Sequence, residues 1–131
     1  MSPVRASLVY RDAVADTTPP AAVTDLFLVS SNGVDDLLFA TDSMPGDNGA
    51  SGGRPHMYEF RSSVSPIATE GDWSASSATS WVNSAGGGIV GEYFEMYLTS
   101  QPTGTRYYHV RFSDLAGNIG AISNGVQVTL T

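Results

Sequence analysis

Gly104-Thr105-Arg106-Tyr107-Tyr108-His109-Val110-Arg111-Phe112-Ser113-Asp114-Leu115-Ala116-Gly117-Asn118 is the stretch whose reading decides the fold. Tyr108, Val110 and Phe112 fall on one side at a spacing of two, and His109, Arg111 and Ser113 fall on the other. That alternation is the mark of a strand with one buried face. Asp114 to Asn118 then breaks the run with residues that tolerate turn geometry. The segment reads as the central strand of a small β-sandwich and its exit turn. On the same parity, His109 is expected at an exposed position on the outward face.

Working outward, the remaining apolar residues also pair at a spacing of two. Residues 21–30 predict a first strand with Leu26 and Leu28 inward, and Asn32-Gly33 is a hairpin signal. Residues 34–41 predict a second strand with Leu37 and Phe39 inward, followed by a Gly- and Pro-rich loop over residues 42–55. Residues 56–62 predict a third strand with Tyr58 and Phe60 inward, and a loop carrying Trp73 follows it. A short edge strand is expected around Trp81. Residues 92–98 predict a strand with Phe94, Met96 and Leu98 inward, and residues 122–131 a last strand with Val126, Val128 and Leu130 inward. No stretch sustains apolar residues at helical spacing. The fold class is therefore all-β: an immunoglobulin-like antiparallel β-sandwich of about seven strands.

The chain has 131 residues, enough for one domain whose core needs no metal or disulfide. It contains no Cys, which excludes disulfides, thiolate zinc sites and Cys nucleophiles while leaving the compartment open. Net charge is −7, and all six basic residues are Arg. Such a chain meets phosphate with repulsion, so nucleic acid is not an expected partner. No apolar run reaches the ~20 residues that span a bilayer, so no membrane insertion is expected. Met1-Ser2-Pro3 leads into a mixed segment without the apolar stretch of a signal peptide. The chain is then expected either to be part of a longer secreted protein or to leave the cell by another route, such as inside a virus particle.

Residues 1–17 are expected to form an arm and linker, with the sandwich over residues 18–131. In the arm, Val4, Ala6, Leu8 and Tyr10 share one side, and Arg5, Ser7, Val9 and Arg11 share the other. Eight extended residues reach roughly 27 Å, about one strand of a sandwich. Pro19-Pro20 stiffens the passage into the domain. The segment reads as a terminal tail, as the last strand of a preceding domain, or as a strand that pairs with a sheet edge of a neighbouring copy.

The ordered set of motifs resembles a fibronectin type III domain of the kind found in secreted bacterial proteins, over about residues 16–131. The resemblance is carried by residues 16–26 at the opening, Pro45-Gly46-Asp47-Asn48-Gly49 after the second strand, and Tyr58-Glu59-Phe60-Arg61-Ser62 with Ser65-Pro66-Ile67 and Trp73. Gly104 to Tyr108, Asp114 to Asn118 and Ser123-Asn124 complete it. The family usually places a Trp on the second strand; here Phe39 holds the nearest place. The resemblance implies fibronectin type III topology and a structural corner at Pro102 and Tyr108. Tyr108 rather than Tyr107 is expected to return its hydroxyl to the backbone, being in phase with Val110.

Gly49-Ala50-Ser51-Gly52-Gly53 matches the pattern of a hydrolase elbow, but it lacks the preceding apolar strand and the following helix that such an elbow requires. His56 and His109 are the two candidate bases, and neither is paired in sequence with an activated nucleophile. Asp35, Asp36, Asp42, Asp47, Asn48, Asp114 and Asn118 are oxygen donors, but they lack the regular spacing of a calcium loop and read as turn formers. Trp73, Trp81, Tyr93 and Tyr97 either form an exposed aromatic strip that stacks on sugar or a protein partner, or separate into a Trp73 folded over the sandwich and solvated tyrosines. Arg61 and Arg111 are expected near Glu59 and Glu95.

The chain is thus not expected to be an enzyme, and no catalytic residue, cofactor or metal is assigned. The expected role is a structural or adhesive module working through protein contacts, either self-assembly or a neighbouring surface or virion protein. Its interaction residues would be drawn from Val4, Leu8, Tyr10, Trp73, Trp81, Tyr93 and Tyr97. The alternative is a spacer or carbohydrate-binding accessory domain of a secreted hydrolase. Location is expected at the cell surface, outside the cell, or on a virion.

Overall fold

A computed structural model of the chain describes residues 17–49, 53, 55–76, 81–86 and 88–131, the Trp81 side chain excepted. The described strands are β1 (Phe27–Ser31), β2 (Leu37–Thr41), β3 (Met57–Ser63), β4 (Trp81–Ser84), β5 (Phe94–Leu98), β6 (Gly104–Ser113) and β7 (Val126–Leu130), with one short helix, α1 (Glu70–Ala75). They form two antiparallel sheets, one in the order β1-β2-β5 and the other in the order β4-β3-β6-β7. The chain is an all-β protein with two sheets and a shared interior.

The ten-residue β6 is interior to its sheet, paired with β3 from Tyr107 to Ser113 and with β7 from Gly104 to Tyr108. Its inward parity, Tyr108, Val110 and Phe112, lies opposite Ser62, Phe60 and Tyr58 of β3. All six are buried. The other sheet contributes Leu37 and Phe39 from β2 and Met96 and Leu98 from β5. Phe39 sits where the two layers meet, its ring 5.0 Å from that of Phe60 and 5.4 Å from that of Tyr108. Tyr58, Phe94 and Phe112 extend the cluster through edge-on and tilted contacts.

Strand ends differ from the sequence reading by up to several residues because loops take over the ends. Asn32 Oδ1 accepts the backbone N–H groups of Val34, Asp35 and Asp36, each at 2.9 Å. That widens the β1–β2 connection beyond a two-residue hairpin, and a bulge between Leu28 and Ser30 shifts the register. Gly33 supplies the positive φ of 78° within this turn.

The corner tyrosine behaves differently from the expectation. Tyr108 is buried, but its hydroxyl meets no hydrogen-bond partner and does not return to the backbone. The parity that buries the ring commits the hydroxyl to the interior as well. Burial raises the phenol's pKa. Ser62 Oγ accepts from Arg106 Nε at 2.9 Å. Pro102 is partly buried in the β5–β6 connection, next to Gln101, whose N–H donates to the Asp35 carbonyl at 2.9 Å. Tyr108→Phe should therefore leave the unfolding free energy unchanged or raise it by up to about 1 kcal/mol, since a buried unpaired hydroxyl is a cost. Urea unfolding measures this, and a loss above about 1 kcal/mol would instead reveal a hydroxyl bonded in the native state.

Candidate functional site

The outward faces of the two sheets are finished in opposite ways, and that difference defines the candidate site. On the four-stranded sheet, His109 and Arg111 of β6 stand level with Arg61 and Glu59 of β3. The segment from Ile67 through α1 lies over them. α1 begins with a capping box: Thr69 Oγ1 accepts from the Asp72 N–H at 3.0 Å, and Asp72 Oδ2 accepts from the Thr69 N–H at 3.2 Å. Backbone donation from Ala68, then the bonds to Thr69, hold the Asp72 carboxyl below the usual range. The helix has one buried residue, Trp73, which is 5% exposed. Two guanidinium groups lie within cation–π distance of its ring, Arg61 at 5.4 Å and Arg111 at 5.1 Å from the centroid.

Both arginines are held from other sides too. Arg61 pairs with Glu59 at 3.0 Å and donates to the Trp73 carbonyl at 2.8 Å. Arg111 donates to both oxygens of Glu70 at 2.7 Å and to the Gly120 carbonyl at 2.9 Å. Arg61 meets Glu59 as expected; Arg111 meets Glu70, whose place on a helix made it invisible as a partner, and not Glu95. The bond to Arg111 holds the Glu70 carboxyl below its ordinary range.

His109 has the expected outward parity but is buried, which corrects its expected exposure. Ile67 N–H donates to Nε2 at 3.0 Å, and Nδ1 lies 3.0 Å from the Ser123 carbonyl. An amide can only donate and a carbonyl can only accept, so the ring is neutral with its proton on Nδ1. Burial lowers its pKa, opposed in part by the Ser123 carbonyl. Both ring nitrogens are occupied by backbone, so His109 is a structural clamp and not a general base. His56 is exposed, with its backbone bonded to Ser113 and Ala85. Residues 50–52, including Ser51, lie outside the described residues.

The outer face of β1-β2-β5 carries no such cover among the described residues. The register sets Phe27, Ala40 and Glu95 in one cross-strand row and Ser30, Leu38 and Tyr97 in the next. Tyr93 extends the outward parity of β5, its ring 6.4 Å from that of Phe27. Tyr93 and Tyr97 are 49% and 50% exposed, and Val29 at the bulge is 41% exposed. Tyr93 donates to Glu95 at 2.8 Å, and Tyr97 donates across to Asp36 at 2.9 Å. These carboxylates hold both phenols protonated above their ordinary range, with the charges of Asp42 and Asp35 adding to the effect.

The sequence-predicted aromatic set therefore divides. Tyr93 and Tyr97 share an open face, whereas Trp73 is buried on the opposite side of the molecule and contributes nothing to it. The Trp81 side chain, Val4, Leu8 and Tyr10 lie outside the described residues. Phe27 and Leu38 complete the face and were not singled out from sequence: inward Leu26, Leu28, Leu37 and Phe39 imply their outward parity, but parity does not say which outer face is left uncovered. The acidic residues are used in turns: Asp114 accepts from the Asn118 N–H at 2.8 Å and from its side chain at 3.0 Å, and Asp25 accepts from the Thr41 hydroxyl. No group of three or more His, Cys, Asp or Glu suited to a metal occurs among the described residues. A loop-lined depression of about 370 Å³ lies between Asp47, His56, Ser84 and Leu115. It is open to solvent and brings together no buried catalytic pair. Comparison with protein-family models gives no match, and comparison with curated proteins gives none either.

Proposed function

We propose that this chain is a non-catalytic structural or adhesive module, a building block of an extracellular or virus-particle surface assembly that works through protein contacts. The observation that carries this reading is the unequal finish of the two sheets. A sandwich that spends a helix, Trp73 and Ile67 on covering one outer face leaves Tyr93 and Tyr97 exposed on the other, with Phe27 and Leu38 half-buried beside them. Two exposed tyrosine rings on one sheet face, with apolar side chains beside them, suit a partner surface. The grouping of the first, second and fifth strands against the third, sixth and seventh supports the fibronectin type III reading of residues 18–131. The same two tyrosines, with hydroxyls fixed by carboxylates, also suit a sugar ring, which keeps a carbohydrate-binding accessory domain as the second reading.

Light scattering on the full chain and on a chain lacking residues 1–15 separates the two. The expected result is a higher-order species that reverts to monomer on deletion. Pro19 and Pro20, which bridge to Gly49, remain in place in the shortened chain. A strict monomer in both cases would overturn the assembly reading in favour of the accessory domain.

A further inference from the structure

The open face has a definite electrostatic character. Glu95 and Asp36 bond its two tyrosines, the charges of Asp42 and Asp35 act on the same phenols, and the described arginines, Arg61, Arg106 and Arg111, all belong to β3 and β6 of the other sheet. Each of those arginines is engaged there with Glu59, Ser62 or Glu70. A partner for this face must offer apolar side chains together with positive charge. The same face of a second copy fails that requirement, because it would set one acidic rim against another.

Residues 1–11 meet the requirement. They hold two arginines and no acid, whereas the 120 residues that follow hold four arginines and all thirteen acids. Val4, Leu8 and Tyr10 alternate with Arg5 and Arg11 over a length comparable to the sheet. The chain also enters the body at the right end. The Pro19 carbonyl accepts from Gly49 N–H, Gly46 N–H donates to the Gly49 carbonyl, and Met44 exchanges backbone bonds with Gly91 and Glu92, beside Tyr93. The seven residues 12–18 span up to roughly 24 Å, enough to cross to an adjacent molecule.

We propose that residues 4–11 of one copy lie extended across the outer face of the β1-β2-β5 sheet of a neighbouring copy. Leu8 and Tyr10 pack on Phe27, Leu38, Tyr93 and Tyr97. Arg5 and Arg11, whose long stems let the charged heads reach around the strand, meet Asp36 and Glu95. This inference rests on the assembly reading above and names its contact.

The chain's lack of Cys permits a direct test. Leu8→Cys in the full chain is labelled with a benzophenone maleimide, mixed with an equal amount of isotopically heavy, unlabelled chain, and irradiated. The attachment points are then sequenced by mass spectrometry. The expected result is that light-to-heavy attachments are as frequent as light-to-light ones, as random mixing of equal amounts requires of a contact made wholly between copies, and that they fall within residues 27–40 and 93–97. Arg5→Glu with Arg11→Glu should abolish them. Attachments spread equally over β6 and β7, attachments confined to single chains, or attachments indifferent to the charge reversal would overturn the proposal. If deletion of residues 1–15 still dissolves the assembly in that case, the arm works at another surface and the assembly reading survives.

Discussion

Trp73→Ala lowers the unfolding free energy by about 3–4 kcal/mol, the cost expected for removing a large buried aromatic. The side chain is the only buried residue of α1, and a six-residue helix has no stability of its own in water. Without the ring, the guanidinium groups of Arg61 and Arg111 lose their shared aromatic partner, and the cover over β3 and β6 loosens. His109 reports that loosening independently of global stability. Its pKa lies below the ordinary 6.5 because burial disfavours the charged ring. Stripping the cover readmits water, so the pKa rises toward 6.5 in the variant.

The sign of the linked pH effect follows from the same shift. In the native protein the depressed pKa means that the unfolded state takes up the proton first. Stability is complete above about 6.5 and declines as pH falls toward the native value. In Trp73→Ala this decline is shallower because the two pKa values converge. An imidazole titration by NMR with urea unfolding at pH 7 and 5 measures both quantities. An unchanged His109 pKa together with a loss under about 1 kcal/mol would mean that Trp73 does not hold the cover.

Phe39→Ala lowers stability by about 3–5 kcal/mol, a large share of the 5–15 kcal/mol typical of a domain. Phe39 is fully buried and is the one aromatic of β2 between Phe60 and Tyr108. Its neighbours belong to two strands of the opposite sheet, so they cannot collapse into the gap without moving that sheet. Phe39→Leu retains most of the volume and should cost about 1–2 kcal/mol, which keeps the comparison measurable where the alanine variant fails to fold. Thermal unfolding of the pair should show the leucine variant between the parent and the alanine variant. Equal values for Leu and Ala would contradict a tightly packed ring at this position.

How much of this was legible in the sequence depends on the range of the interaction. Parity along β6, β3 and β5 was readable because side chains alternate by backbone geometry alone, and Tyr58, Phe60, Met96, Leu98, Tyr108, Val110 and Phe112 are buried as their spacing implies. α1 was not read as a helix, although Thr69-Glu70-Gly71-Asp72 carries the spacing of a capping box. Six residues are too few for apolar periodicity to register, and the helix exists because Trp73 has a sheet to lie on.

The amino-acid order by itself determined the strands, the two-layer class and the parity of each apolar residue, since these follow from a two-residue repeat and from turn chemistry. It also set the charge contrast between the first eleven residues and the rest. Only the tertiary structure decided which outer face is covered. Outward parity says that His109, Arg111, Tyr93 and Tyr97 all leave the interior, and nothing local distinguishes them. What separates them is the path of the chain after β3, which returns over one sheet and buries His109 beneath Ile67 while leaving the tyrosines in water. Exposure is a property of what lies on top of a residue, and that is a long-range fact.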